Sequence, residues 1–144
     1  MIEKTYREAL IQSTAYRELR QVVTEALSAY ALSPSEWALL GLVYENHQLG
    51  QKDIAELLSV EPPLVTQMIA SLKQKNMIDI QVSPEDARKR YISLQEDVIC
   101  KIPVIDEDVR AATSRILKGC THEEISAYFK VLNTIILNRK EPCS

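Results

Sequence analysis

Glycine, histidine and cysteine are scarce in this chain. Its 144 residues hold three Gly, two His, three Cys, one Trp and one Phe. No Gly-rich phosphate loop, nucleophile elbow, Cys/His metal set or carboxylate dyad is present, so catalysis finds no support and no cofactor is implied. The cysteines, Cys100, Cys120 and Cys143, are odd in number and lack metal-type spacing, which fits reduced thiols, with Cys100 expected as a buried structural thiol against a redox sensor. No apolar run approaches the roughly 18 residues of a membrane helix. The first residues, MIEKTYREAL, carry acids and lack an apolar core, so no signal peptide is expected and a cytoplasmic protein is. There is also no excess of basic charge. A net charge of −3 argues against a non-specific nucleic-acid coat.

What is present is 46% apolar residues, enough for one compact, helix-rich domain. Residues 3–29 contain neither Pro nor Gly and place Leu10, Ile11, Leu19, Val22, Val23, Ala26 and Leu27 at helical spacing. Ser33-Pro34-Ser35-Glu36 combines an N-cap hydroxyl, a first-turn proline and a glutamate at the third helical position, a capping box that opens a helix through Trp37 and Tyr44. A short helix (53–58, with Gln51 and Lys52 at its start) and a turn at Ser59-Val60-Glu61 follow. Pro62 then opens a second helix with inward residues Val65, Met68, Ile69 and Leu72. Its outward residues are then Pro63, Leu64, Thr66, Gln67, Ala70, Ser71 and Gln74. Residues 77–82 and 90–94 alternate as paired strands do, and Ser83-Pro84-Glu85-Asp86 is turn chemistry.

Helix, turn, helix and a hairpin tipped by Arg88, Lys89 and Arg90 make a winged helix-turn-helix, which points to double-stranded DNA. A helix fits the major groove, and a cationic hairpin reaches the neighbouring minor groove or backbone. Charge distribution agrees locally: residues 62–78 carry Lys73 and Lys75 and no acid. A helix from about Glu96 to Lys118 contains Pro103, which should kink it or delay its regular part. Gly119 should stop it, and Thr121-His122-Glu123-Glu124 caps a last helix. That box accounts for the acids beside His122 without a metal.

The fold expected is mainly α, α+β by virtue of the wing, in a single domain over residues 1–144. A winged helix-turn-helix lobe (33–95) is flanked by N- and C-terminal helices (1–30 and 96–144) more apolar than one lobe needs. A two-fold dimer through those flanks is expected, with a monomeric helical cap as the alternative.

The run QKDIAELLSVEPPLVTQMIASLKQKNMI, the wing VSPEDARKRYISL and the later LKGCTHEEI closely resemble the MarR family of bacterial winged-helix regulators. The most specific element is the Asp-x-Arg-x-Arg of the wing, Asp86-Ala87-Arg88-Lys89-Arg90. The resemblance implies a homodimer on a short pseudo-palindromic operator, usually a repressor, often released by a small aromatic or phenolic effector. The family usually carries arginines where Gln67 and Ser71 stand, an acid where Ala70 stands and a glycine where Asn76 stands.

On these grounds Gln67 is expected at adenine edges and Thr66 at a thymine methyl, with Pro63, Leu64 and Ser71 beside them. Arg88, Lys89 and Arg90 are expected at the minor groove or backbone, with Asp86 the nearest partner for Arg88. Gln51 and Lys52 are expected at a phosphate. For each, a solvated helix face or a structural ion pair is the alternative. Tyr16, Trp37, Tyr44 and His47 are candidates for an effector pocket, against plain core packing. A winged-helix module for protein–protein contact is the rival function.

Overall fold

The computed structural model describes residues 4–140; Cys143 and the extreme ends of the expected flanking helices lie outside them. Among the described residues six helices and one hairpin follow in order: α1 Thr5–Ser28, α2 Pro34–Glu45, α3 Gln51–Leu58, α4 Pro62–Gln74, β1 Ile78–Val82, β2 Arg90–Leu94, α5 Glu96–Ile116 and α6 His122–Lys140. Among the described residues no helix is long and apolar enough to cross a membrane.

The punctuation residues act as their chemistry requires. Ser33 Oγ accepts from the Glu36 N–H at 3.1 Å, while Glu36 Oε1 accepts from the Ser33 N–H at 3.0 Å, closing the capping box of α2. The short helix starts two residues earlier than Asp53 because the Asp53 carboxylate accepts the Gly50 N–H at 2.9 Å. Ser59, in the left-handed region at φ 55°, ends it. Asn76 does the same after α4 at φ 59°, so asparagine meets the conformational demand that glycine meets elsewhere. Gly119, at φ +99°, follows α5, and Thr121 Oγ1 accepts from the Glu124 N–H at 3.1 Å to start α6. Pro103 does not delay the helix: α5 starts at Glu96 and continues through it to Ile116. Proline removes the bond to the carbonyl four residues back, here that of the exposed Ile99, where water can replace it.

The chain divides into two compact units, one running to Thr113 and the other starting at Ser114. The first holds the core. Leu27 of α1, Leu39, Leu40 and Val43 of α2, Ile54 of α3, Val65, Ile69 and Leu72 of α4, Ile78 and Ile92 of the hairpin, and Val98, Ile102 and Ile105 of α5 are all buried in it. The winged lobe thus shares its core with parts of both flanking helices. The hairpin is antiparallel, with Ile80 opposite Ile92 and Val82 opposite Arg90. The Ile92 N–H donates to the Leu49 carbonyl at 2.9 Å, which pins the hairpin to the α2–α3 connection.

The second unit contains α6, which buries none of its residues; Phe129, Val131, Ile135, Ile136 and Leu137 are each at least half exposed. Cys100 also departs from expectation. It is exposed on α5 rather than buried, as is Cys120 beyond it, because Cys100 falls between the inward residues Val98 and Ile102 on the opposite face of the turn.

Candidate nucleic-acid interface

The α4 helix is oriented by its apolar stripe. Val65, Ile69 and Leu72 are buried and Met68 is half-buried, which turns the opposite face of the helix outward. Pro63, Leu64, Thr66 and Gln67 are all exposed, Leu64 by 50%, a large apolar side chain held in water at the start of the helix. The Gln67 amide makes no hydrogen bond among the described residues and is available to an external donor and acceptor pair. Thr66 is different. Its hydroxyl donates to the Pro62 carbonyl at 3.2 Å and accepts from Gln51 Nε2, leaving its methyl as the unengaged part. The Gln51–Thr66 bond also joins the first turn of α3 to α4.

Ser71 corrects the sequence reading. It is half-buried, and its hydroxyl donates to Glu36 Oε2 at 2.8 Å, so it serves the α2–α4 contact from within. Lys75 likewise does not contribute a free cation. Its ammonium lies 3.0 Å from Glu36 Oε2 and donates to the Ala31 carbonyl at 2.5 Å. Burial alone would push the Glu36 carboxyl up, but the Ser33 N–H, the Ser71 hydroxyl and Lys75 together hold it below its ordinary value. From the sequence, Glu36 is a capping-box residue and Lys75 a local cation, and nothing there pairs them. The capping box explained Glu36 locally, and only the fold brings Lys75 to it across 39 positions of chain.

The wing turn closes through its backbone: the Ser83 N–H donates to the Lys89 carbonyl at 2.9 Å and the Lys89 N–H to the Asp86 carbonyl at 3.0 Å. Asp86 meets Arg88 through the main chain: its Oδ1 accepts the Arg88 N–H at 3.0 Å. That bond shapes the turn and leaves the guanidinium outside it. Arg88, Lys89 and Arg90 are exposed and enter no ion pair among the described residues. Between the wing and the start of α3 runs a groove of about 660 Å³ lined by His47, Gln51, Lys52, Lys89, Arg90 and Tyr91, with Asp53 and Glu85 also on its walls. Gly50 lies on its wall, where a Cβ would stand 3.1 Å from the Arg90 carbonyl, so a side chain there would ask the wing base to give by a few tenths of an ångström.

The four aromatic and histidine candidates lie on three elements of the fold. His47 joins the groove beside the wing, and Trp37 packs against the core. Tyr44 is partly exposed on α2, and Tyr16 is 61% exposed on α1 with its hydroxyl 3.5 Å from Arg20 Nη1.

Comparison with known proteins agrees with this geometry. The MarR family model matches residues 32–89, which span α2 to the wing. The HTH-type transcriptional regulator MhqR of Bacillus subtilis (strain 168) is 24% identical over 141 residues, covering 98% of this chain and 97% of that protein. Among solved structures, CouR from Rhodococcus jostii RHA1 bound to p-coumaroyl-CoA superposes with a TM-score of 0.80 at 19% identity, covering 88% of this chain and 90% of the other. The S. aureus MepR–DNA complex gives a TM-score of 0.79 at 18% identity, covering 94% and 99%. Helix order, hairpin and wing motif agree with these likenesses: residues 32–89 match the MarR family, and along nearly its whole length the chain is similar to an HTH-type transcriptional regulator.

Proposed function

We propose that the protein is a repressor that binds a pseudo-palindromic operator as a homodimer. In this reading α4 lies in the major groove and presents Pro63, Leu64, Thr66 and Gln67 to base edges, while Arg88, Lys89 and Arg90 reach the adjacent minor groove or its phosphates. Gln51 and Lys52 meet a phosphate at the start of α3. Ser71 acts from inside, through Glu36. The observation that carries the reading is the unengaged Gln67 amide on the outward face of a helix whose inward face is locked in the core. An amide is a bidentate partner for adenine N6 and N7, and the engaged hydroxyl of Thr66 turns its methyl into the part suited to thymine.

The dimer rests on apolar side chains with no cover in one chain. Leu10 and Ile11 of α1 are 60% and 69% exposed, and Ile135, Ile136 and Leu137 of α6 are 53%, 50% and 62% exposed. Residues 1–30 and 96–144 would supply that interface, although α1 and α5 also complete the lobe's core. Two lobes so joined would address half-sites about one turn, roughly 34–36 Å, apart. A small aromatic or phenolic effector would lower operator affinity; the complex of CouR with p-coumaroyl-CoA supports that ligand class. Trp37, Tyr44, Tyr16 and His47 are the candidate contacts.

The test is Gln67→Ala. Loss of a bidentate pair costs about 1–3 kcal/mol at the right base. Specific affinity should therefore fall roughly ten- to a hundredfold, with binding to random duplex unchanged. A variant that keeps the full preference of the parent would rule out direct readout by Gln67.

A further inference from the structure

We propose that Glu36, Lys75 and Ser71 form a positioning clamp for DNA recognition, fixing the rotation of α4 and hence the direction of Gln67. The inference rests on reading α4 as the recognition helix, and it assigns a role to residues that would never touch DNA.

Glu36 is a buried carboxylate in a core otherwise made of apolar side chains. Such a group persists only if its lone pairs are satisfied. They are: Oε1 accepts from the Ser33 N–H at 3.0 Å and from Lys75 Nζ at 3.1 Å, and Oε2 accepts from Ser71 at 2.8 Å and Lys75 Nζ at 3.0 Å. The first contact belongs to α2 and the others to α4, so one rigid carboxylate holds the two helices in register. Ser71 and Lys75 stand one and two helical turns beyond Gln67. Both therefore grip the same flank of α4 that leads to the exposed row.

The buried stripe fixes which face of α4 is inward through non-directional packing, and the hydrogen bonds to Glu36 add a directional constraint on its rotation. A Gln67 tip about 6 Å from the helix axis moves about 1.5 Å for a rotation of roughly 15°. That exceeds the roughly 0.5 Å range within which a hydrogen bond keeps its length.

The clamp has a second anchor. Lys75 Nζ also donates to the carbonyl of Ala31 at 2.5 Å. Ala31 forms the corner between α1 and α2 at φ 56°, a left-handed conformation that alanine seldom adopts. Next to it, the Tyr30 hydroxyl donates to Asp108 of α5. The ammonium thus ties the end of α4 to a corner that is itself held by α5.

The test compares Lys75→Met, Lys75→Arg and Ser71→Ala with the parent by fluorescence anisotropy. The probes are a duplex that the parent enriches from a random library and alternating dI-dC polymer. Lys75→Met should weaken binding to the enriched duplex roughly tenfold or more, the scale of one lost base pair contact. Affinity for the polymer and the slope of log K against log salt should stay at parental values, because no phosphate contact is removed. Lys75→Arg, which keeps a donor for Glu36, should recover most of the loss. Ser71→Ala, which removes one bond without a charge, should show a smaller loss of the same kind and decides the matter if Lys75→Met fails to fold. A purely structural role would lower the melting temperature and leave the ratio of the two affinities at the parental value. A phosphate contact by Lys75 would instead cut the salt slope by about 0.9. Either result overturns the clamp. If the parent enriches no duplex at all, the recognition reading fails first, and the clamp falls with it.

Discussion

Replacing Arg88 by alanine tests the wing most sharply, because the structure separates its two parts. The backbone of Arg88 is committed: its N–H bonds Asp86 Oδ1 at 3.0 Å and shapes the turn. The guanidinium is exposed and pairs with no described carboxylate. Alanine keeps the N–H and the turn, so the stability change should stay within about 0.5 kcal/mol. On DNA, one lost phosphate contact should reduce the magnitude of the slope of log K against log salt by about 0.9. Between about 50 and about 200 mM salt this amounts to a difference of about 3.5-fold, so the affinity deficit of the variant should be widest at low salt and shrink by that factor. Titrations of parent and variant across that range, with matched thermal melts, provide the measurement. An unchanged slope together with a clearly lowered melting temperature would refute the reasoning and make Arg88 a structural residue.

Other consequences follow from the core and the flanks. Leu72→Ala removes a fully buried side chain beneath α4 and should cost about 2–5 kcal/mol in denaturant unfolding. Glu36 has a folded-state pKa below its unfolded one, so its contribution is complete above the unfolded value near 4.5 and is lost as pH falls through the folded value. The melting-temperature gap between parent and Glu36→Gln should hold steady from neutral pH to about 5 and narrow below that; a gap that stays constant on acidification would mean that the charge of Glu36 is not what stabilises. Sedimentation of the intact chain at micromolar concentration should show a dimer, and a stable monomer would contradict the role proposed for α1 and α6.

Much of the lobe was readable because local signals coincide. Pro34 and Pro62 open helices, Asn76 takes the left-handed turn, and the period-two residues around Ile80 and Ile92 pair as the pattern implies. The misreadings share a physical cause. A small polar residue such as Ser71 beside an apolar stripe fits water as well as it fits a buried carboxylate, and the carboxylate lies 35 positions away. The same distance along the chain hides the partner of Lys75. Gly50 gave no signal of its own, since its need is the close approach of the Arg90 carbonyl and not a special φ. The apolar residues of α6 were legible as a stripe, but a stripe does not say what covers it.

The most direct test of the account is a hydroxyl-radical footprint on the duplex that the parent enriches from a random library. The account predicts protection in two half-sites related by two-fold symmetry, centred roughly 34–36 Å apart, with the minor-groove protection lost in Arg88→Ala. Uniform, sequence-independent protection, or a single unsymmetrical site, would contradict it.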